Sequence, residues 1–167
     1  MRTAFAGSVA LPVLLGLAAL VAPTGLTAQE GKGQARPASA SPGAVITTMT
    51  MDDLDGVLRR MGYSFERVEG KDRQRRFRLE GRPVTVTLSE RGNNVMLWSY
   101  VVGGGNVTVQ KVNEWNKTKR FSRAYLDSDG DPNVEWDVDL DGGSTIGAVE
   151  EGIRTFGLVL QAFTGFF

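Results

Sequence analysis

Between Val112 and Leu140 the hydrophobic period of the chain changes, and this constrains the fold more than any other feature. Val109, Val112 and Trp115 recur at helical spacing, Phe121 to Asp127 reads as a strand, and Asn133 to Asp141 alternates strictly. In that last run Val134, Trp136, Val138 and Leu140 fall on one side, and Glu135, Asp137, Asp139 and Asp141 on the other. Asp127-Ser128-Asp129-Gly130-Asp131-Pro132, rich in turn formers, joins the two strands. A helix therefore hands over to an antiparallel hairpin with one apolar side and one acidic side.

The same reading extends in both directions. Thr50-Met51-Asp52-Asp53 has the form of a capping box, after which Leu54, Val57, Leu58 and Met61 share a helical face up to Gly62. Arg75 to Glu80 and Pro83 to Leu88 alternate with period two across a Gly81-Arg82 link, which predicts a hairpin. Arg91-Gly92-Asn93-Asn94 then supplies the turn into a third strand, Val95 to Val102. After Gly103-Gly104-Gly105, Val107 to Thr118 fits strand at its start and helix further on, and is taken as a helix whose first residue is not fixed. From Thr145 to Thr164 the stripe Ile146, Val149, Ile153, Phe156, Leu160 and Phe163 predicts a long amphipathic helix. Gly147, Gly152 and Gly157 interrupt it, each costing about 0.8 to 1 kcal/mol relative to alanine, so fraying or a kink near Gly157 is expected. The final Phe163-Thr164-Gly165-Phe166-Phe167 is expected to dock on the core. The order α-βββ-α-ββ-α predicts an α+β domain, an antiparallel sheet with its helices packed on one face.

Composition removes whole classes of chemistry. The 167 residues include no cysteine and no histidine, so a Ser-His-Asp triad, a Cys-His pair, a zinc cage and a disulfide are all excluded. Lys+Arg and Asp+Glu balance at 19 each, which gives no global pull toward nucleic acid or an anionic membrane. Met1-Arg2-Thr3, the apolar run Ala4 to Ala22 and Leu26-Thr27-Ala28 read as an export signal over residues 1–28, cleaved after Ala28. The alternative is an uncleaved membrane anchor, the one case in which membrane association is expected. Residues 29–46, rich in Gly, Ala, Ser, Pro and Gln, read as a disordered linker, leaving 47–167 as one domain. The expected location is the periplasm or cell envelope.

Val112-Asn113-Glu114-Trp115-Asn116, followed by Arg120-Phe121-Ser122-Arg123-Ala124-Tyr125-Leu126-Asp127 and the acidic turn, resembles the YbjN family of bacterial sensory transduction regulators. The resemblance covers roughly Thr48 to Phe163 and implies a fold like that of type III secretion chaperones, with the element order read above. The triple glycine before the second helix and the glycines within the last one depart from the family pattern.

Candidate sites follow from both lines. Trp98, Tyr100, Trp115, Phe121 and Tyr125 are candidate anchors of an exposed peptide-binding groove. Against this, Trp115 lies on the apolar stripe with Val109 and Val112, so it also fits the helix-sheet interface, with the Asn116 amide satisfying backbone groups where the helix ends. Arg76 stands in a basic cluster with Arg59, Arg60, Arg67, Lys71, Arg73, Arg75, Arg78, Arg82 and Arg91, while acidic residues gather from Asp127 to Glu151. Basic and acidic strands adjacent in the sheet would pair at about 0.2 to 1 kcal/mol each. Otherwise the cluster forms a patch for lipid headgroups, envelope polyanions or an acidic partner. Nucleic acid is not expected, since export removes it and Phe77 is the only aromatic inside the basic strands. Asp137-Val138-Asp139-Leu140-Asp141-Gly142 opens like a calcium loop but has Ala148 at the twelfth position, and an amphipathic strand explains it. Asp127, Asp129 and Asp131 remain candidates for a calcium ion, with Pro132 breaking the motif. No catalytic residues and no cofactor are expected. The leading reading is a non-enzymatic, chaperone-like or regulatory module with a protein or peptide partner. The alternatives are a small-ligand or calcium sensor and a structural homodimer.

Overall fold

The helices and strands all follow from where the apolar side chains can be buried together. The computed structural model describes residues 43–102 and 107–167. The expected signal peptide, the linker up to residue 42 and the triple glycine lie outside the described residues. The elements are β1 (Val45–Ile46), α1 (Met51–Arg60), β2 (Phe65–Val68), β3 (Lys71–Leu79), β4 (Arg82–Leu88), β5 (Asn94–Tyr100), α2 (Val109–Thr118), β6 (Arg123–Leu126), β7 (Pro132–Asp139), β8 (Ser144–Thr145) and α3 (Ile146–Phe166). Six strands form one antiparallel sheet in the order β2-β3-β4-β5-β7-β6, and β1 pairs with β8 in a separate ribbon. Val45 and Ile46, placed in the linker by composition, are thus strand residues.

Leu54, Val57 and Leu58 of α1, Val112 and Trp115 of α2, and Val149, Ile153, Phe156, Leu160 and Phe163 of α3 are buried. They meet Val84, Val86, Leu88, Val95, Leu97 and Val134 from one face of the sheet. The α1 capping box forms as expected: the Asp53 amide donates to Thr50 Oγ1 at 3.2 Å, and the Thr50 amide donates to Asp53 Oδ2 at 2.9 Å. Among the described residues no helix is long and apolar enough to cross a membrane.

Besides the β1-β8 ribbon and strand ends that shift by one or two residues in β5 and β7, four features differ from the sequence reading. A strand, β2, precedes the expected hairpin. It was missed because an edge strand of sequence Phe65-Glu66-Arg67-Val68 buries little and its alternation is obscured by charge. β3 begins at Lys71 rather than Arg75, carried by its pairing with β2. β6 begins at Arg123 rather than Phe121, because Phe121 takes a φ of +62°, outside the extended region. Finally, α3 continues through Gly157 to Phe166 without the expected break. Gly152 faces the sheet: a Cβ there would sit 2.9 Å from Val138 Cγ2, so glycine lets helix and strand approach closely.

One buried ion pair fixes α1 on the sheet. Arg75 Nε donates to Asp55 Oδ1 at 2.7 Å and Nη2 to Oδ2 at 3.3 Å, and the two side chains are 3% and 4% exposed. Arg75 Nη1 also donates to the carbonyls of Asp72 and Gln74. Removing one partner strands the other charge, so Asp55→Ala is expected to cost about 3 to 5 kcal/mol in urea denaturation. Asp55→Leu combined with Arg75→Met should recover most of that loss, and a double variant as unstable as the single one would contradict this account.

Candidate functional site

All three helices lie against one side of the sheet, and among the described residues none covers the other. Register assigns the side chains of that bare face. Glu66, Arg76, Thr85, Trp98, Glu135 and Arg123 form one row across six strands. Tyr100, Asn133 and Tyr125 stand in the next row. Trp98 and Tyr100, two residues apart on β5, stack with ring centroids 6.1 Å apart and planes at 28°. Tyr100 and Tyr125 are 38% and 39% exposed. Beside Arg76 a cavity of about 570 Å³ is lined by the α1-β2 link and the adjoining ends of β2, β3 and β4, including Tyr63, Phe65, Phe77, Arg78 and Pro83.

Glu135 organises one flank of this face. It is 8% exposed, although strand alternation placed it on a solvated acidic side. Its Oε2 accepts from Arg123 Nε at 2.7 Å and Nη2 at 2.6 Å, and its Oε1 accepts from the Tyr125 hydroxyl at 2.7 Å. Burial, and then the hydrogen bond to Glu135, push the Tyr125 phenol up to about 12. The hydrogen bond and charge of Glu135 hold the Arg123 guanidinium above its ordinary value. At neutral pH a phenol and a guanidinium are therefore both locked onto the Glu135 side chain.

The structure separates the aromatic candidates. Trp98, Tyr100 and Tyr125 share the bare face with Arg76. Trp115 is 1% exposed and offers no surface to a partner. It packs among Phe163, Phe166 and Phe167 at centroid distances of 5.1, 5.4 and 6.0 Å, which docks the C-terminus as expected. Phe121 lies on the helical side, 6.0 Å from Trp136. A single groove of five aromatics does not form, because Trp115, on α2, is buried against the end of α3 and Phe121, ahead of β6, lies beside Trp136 on the helical side. Asn116 does satisfy backbone groups: its Nδ2 donates to Ala124 O at 3.0 Å and its Oδ1 accepts from Ala124 N at 2.8 Å. Glu135 and Arg123 were missed, since only the hairpin register brings them to Tyr125.

The charge clusters also resolve differently. Basic β3 is separated from acidic β7 by β4 and β5, so the expected pairing between them is absent. Arg75 is buried with Asp55, Arg73 donates to the carbonyls of Leu88 and Ser89, Arg78 donates to Gly81 O, and Arg60 pairs with Glu150 at 3.1 Å. Arg76 makes only an exposed contact of 3.7 Å with Glu66. In the acidic turn, Asp127 Oδ1 accepts from the amides of Asp129 and Asp131 at 3.0 and 2.9 Å, and Oδ2 accepts from Asn133 Nδ2 at 3.1 Å. These bonds, the Asp131 amide foremost and then Asn133, hold the Asp127 carboxyl below its usual range. Asp127 thus serves as the keystone of the β6-β7 turn. Among the described residues no group of three carboxylates is arranged to hold a metal ion.

The fold and this face define a one-sided α+β domain with an uncovered aromatic and charged sheet surface. A family model described as "Putative bacterial sensory transduction regulator" matches residues 50–167, and the chain belongs to that family, YbjN. Among solved structures it is similar to the crystal structure of YbjN, "a putative transcription regulator from E. coli". That match has a TM-score of 0.55 and 13% identity over 73% of this chain and 96% of the other, and shows a shared fold. No curated protein matches the chain.

The sign of the Tyr125 shift makes a prediction. Because the phenol is raised from 10.0 to about 12, its contribution to stability is complete below pH 10 and is lost as pH rises through 12. In Glu135→Ala the Tyr125 titration, followed by phenolate absorbance, should move down toward 10. A titration unmoved by that substitution would show burial alone to be its cause.

Proposed function

We propose that the chain is a non-enzymatic regulatory module of the bacterial envelope that binds a polypeptide across the bare face of its sheet. The observation that carries this reading is the stacked Trp98-Tyr100 pair on the uncovered face, between Arg76 on one flank and the Arg123-Glu135-Tyr125 trio on the other. Trp, Tyr and Arg are the side chains that most often dominate protein interfaces, and rigid aromatics lose little entropy on contact. The regulatory description of the family supports the role, and a fold shared with YbjN is consistent with it. Export rests on the leader read in residues 1–28. The non-enzymatic character rests on the lack of cysteine and histidine, and on a Tyr125 that stays protonated far above neutral pH.

The test is capture of proteins from a native envelope extract by the mature chain, residues 29–167, beside Trp98→Ala and Arg76→Glu. A specific protein held by the unmodified chain and weakened by about 2 kcal/mol or more in Trp98→Ala is the expected result. Retention of nothing above background, or of the same protein equally by both variants, would overturn the reading.

A further inference from the structure

The sheet has an unfinished edge. β5 follows β7 as far as Asp139, whereas β6 accompanies β7 only from Pro132 to Glu135. Backbone direction along β7 can be read from its neighbours. Pro132 O accepts from Val101 N at 3.1 Å and Leu140 N donates to Asn93 O at 2.9 Å, so even-numbered positions turn toward β5. Asp131 O accepts from Asp127 N at 3.0 Å, so odd-numbered positions turn toward β6. By the alternation of an antiparallel ladder, the N–H and C=O groups of Asp137 and Asp139 point outward beyond the end of β6. No described residue bonds to them.

The cause is local. Phe121, at a φ of +62°, turns the chain away before it can extend β6, and Trp115 Nε1 holds Ser122 Oγ at 3.2 Å. What remains beside the edge is a groove of about 470 Å³, largely apolar, with Phe121, Trp136 and Val138 on one wall and Ala148, Glu151, Gly152 and Thr155 of α3 on the other. Phe121 is 60% exposed there.

We infer that the outward edge of β7 from Trp136 to Asp139 is a strand-addition site for an extended peptide in which apolar and basic residues alternate. The inference rests on the polypeptide-binding reading but assigns a different surface. The partner's chemistry follows from the pleat. Residues of an added strand beside Trp136 and Val138 point into the apolar groove. Those beside Asp137 and Asp139 lie on the other face against two exposed carboxylates; neither forms an ion pair with a described cation, although the charge of Asp137 reaches Arg123 and Asp139 Oδ1 accepts from Asp141 N at 2.9 Å. Backbone pairing supplies the attachment, the groove takes the apolar side chains, and the carboxylates select lysine or arginine.

The test uses a synthetic octapeptide alternating lysine and valine, added to the full chain, with amide hydrogen exchange read by NMR. At ten times its Kd, the peptide should slow exchange roughly tenfold at Asp137 and Asp139, while Trp136 and Val138, already turned toward β5, change little. A peptide N-methylated at alternate residues should give no protection. D137K with D139K should weaken the lysine-valine peptide and favour a glutamate-valine one, and Trp98→Ala should leave the edge response intact. Absence of protection at both amides at millimolar peptide would overturn the assignment. Binding that maps instead to Trp98 and Tyr100, or that is lost in Trp98→Ala, would also overturn it while leaving the polypeptide-binding reading standing.

Discussion

Two adjacent side chains with opposite tasks hold the second half of the domain together. Trp115 is enclosed by Phe163, Phe166 and Phe167, which ties α2 to the end of α3. Asn116 points the other way and closes both backbone groups of Ala124. A four-residue edge strand such as β6 has few ladder bonds of its own. The amide of Asn116 acts as a strand partner on its outer side, which stabilises the strand and blocks that part of the edge. Only with β6 in place do Arg123 and Tyr125 reach Glu135. The flank of the candidate face therefore depends on a contact made by α2 at the outer edge of β6.

The first half is held by a different device with the same result. Asp55-Arg75 commits α1 to the face carrying Phe77, Val84 and Val86, and the close approach of α3 at Gly152 brings the long helix onto β7. Both act on one side, so the other keeps no cover. Part of the basic cluster of the first half is absorbed in this construction: Arg75 satisfies a buried carboxylate, Arg73 and Arg78 satisfy backbone carbonyls, and Arg60 pairs with Glu150 of α3. Arg76 and Arg78, two residues apart on β3, carry that charge to the bare face, and Arg78 also donates to Gly81 O. Opposite charge attracts little across an exposed 3.7 Å contact in water, so Arg76 is free to exchange Glu66 for another acceptor.

What was legible in the sequence is what periodicity records. The α3 stripe, the Thr50 capping box, the alternation of β4 and the structural reading of Trp115 and Asn116 all report which groups an element buries or satisfies, and each appears as read. Periodicity is silent about register and about charge that goes inside. Arg75 looks like its neighbours Arg73 and Arg76 until Asp55, twenty positions earlier, is placed above it. Glu135 belongs to an acidic alternation, and only the two-strand register sets it between Arg123 and Tyr125. β2 fails to announce itself because an edge strand gains by carrying charge. Phe121 has the composition of a strand residue, and nothing in the local sequence announces its left-handed backbone.

The same β7 strand serves both surfaces, and energetics give them different weights. Edge groups of Asp137 and Asp139 are hydrated when free, so each backbone bond formed there nets only about 0.5 to 1.5 kcal/mol. Burial in the apolar groove adds roughly 25 cal/mol for each Å² covered, against the entropy of ordering an extended segment. An edge contact of this length alone gives weak, readily reversed binding. A partner that also reached the Trp98-Tyr100 face would bind its second segment intramolecularly, raising avidity without any stronger individual contact. Weak separate contacts that reinforce one another only on a correctly spaced partner suit a regulator better than a permanent subunit, because either contact can be withdrawn to release the whole.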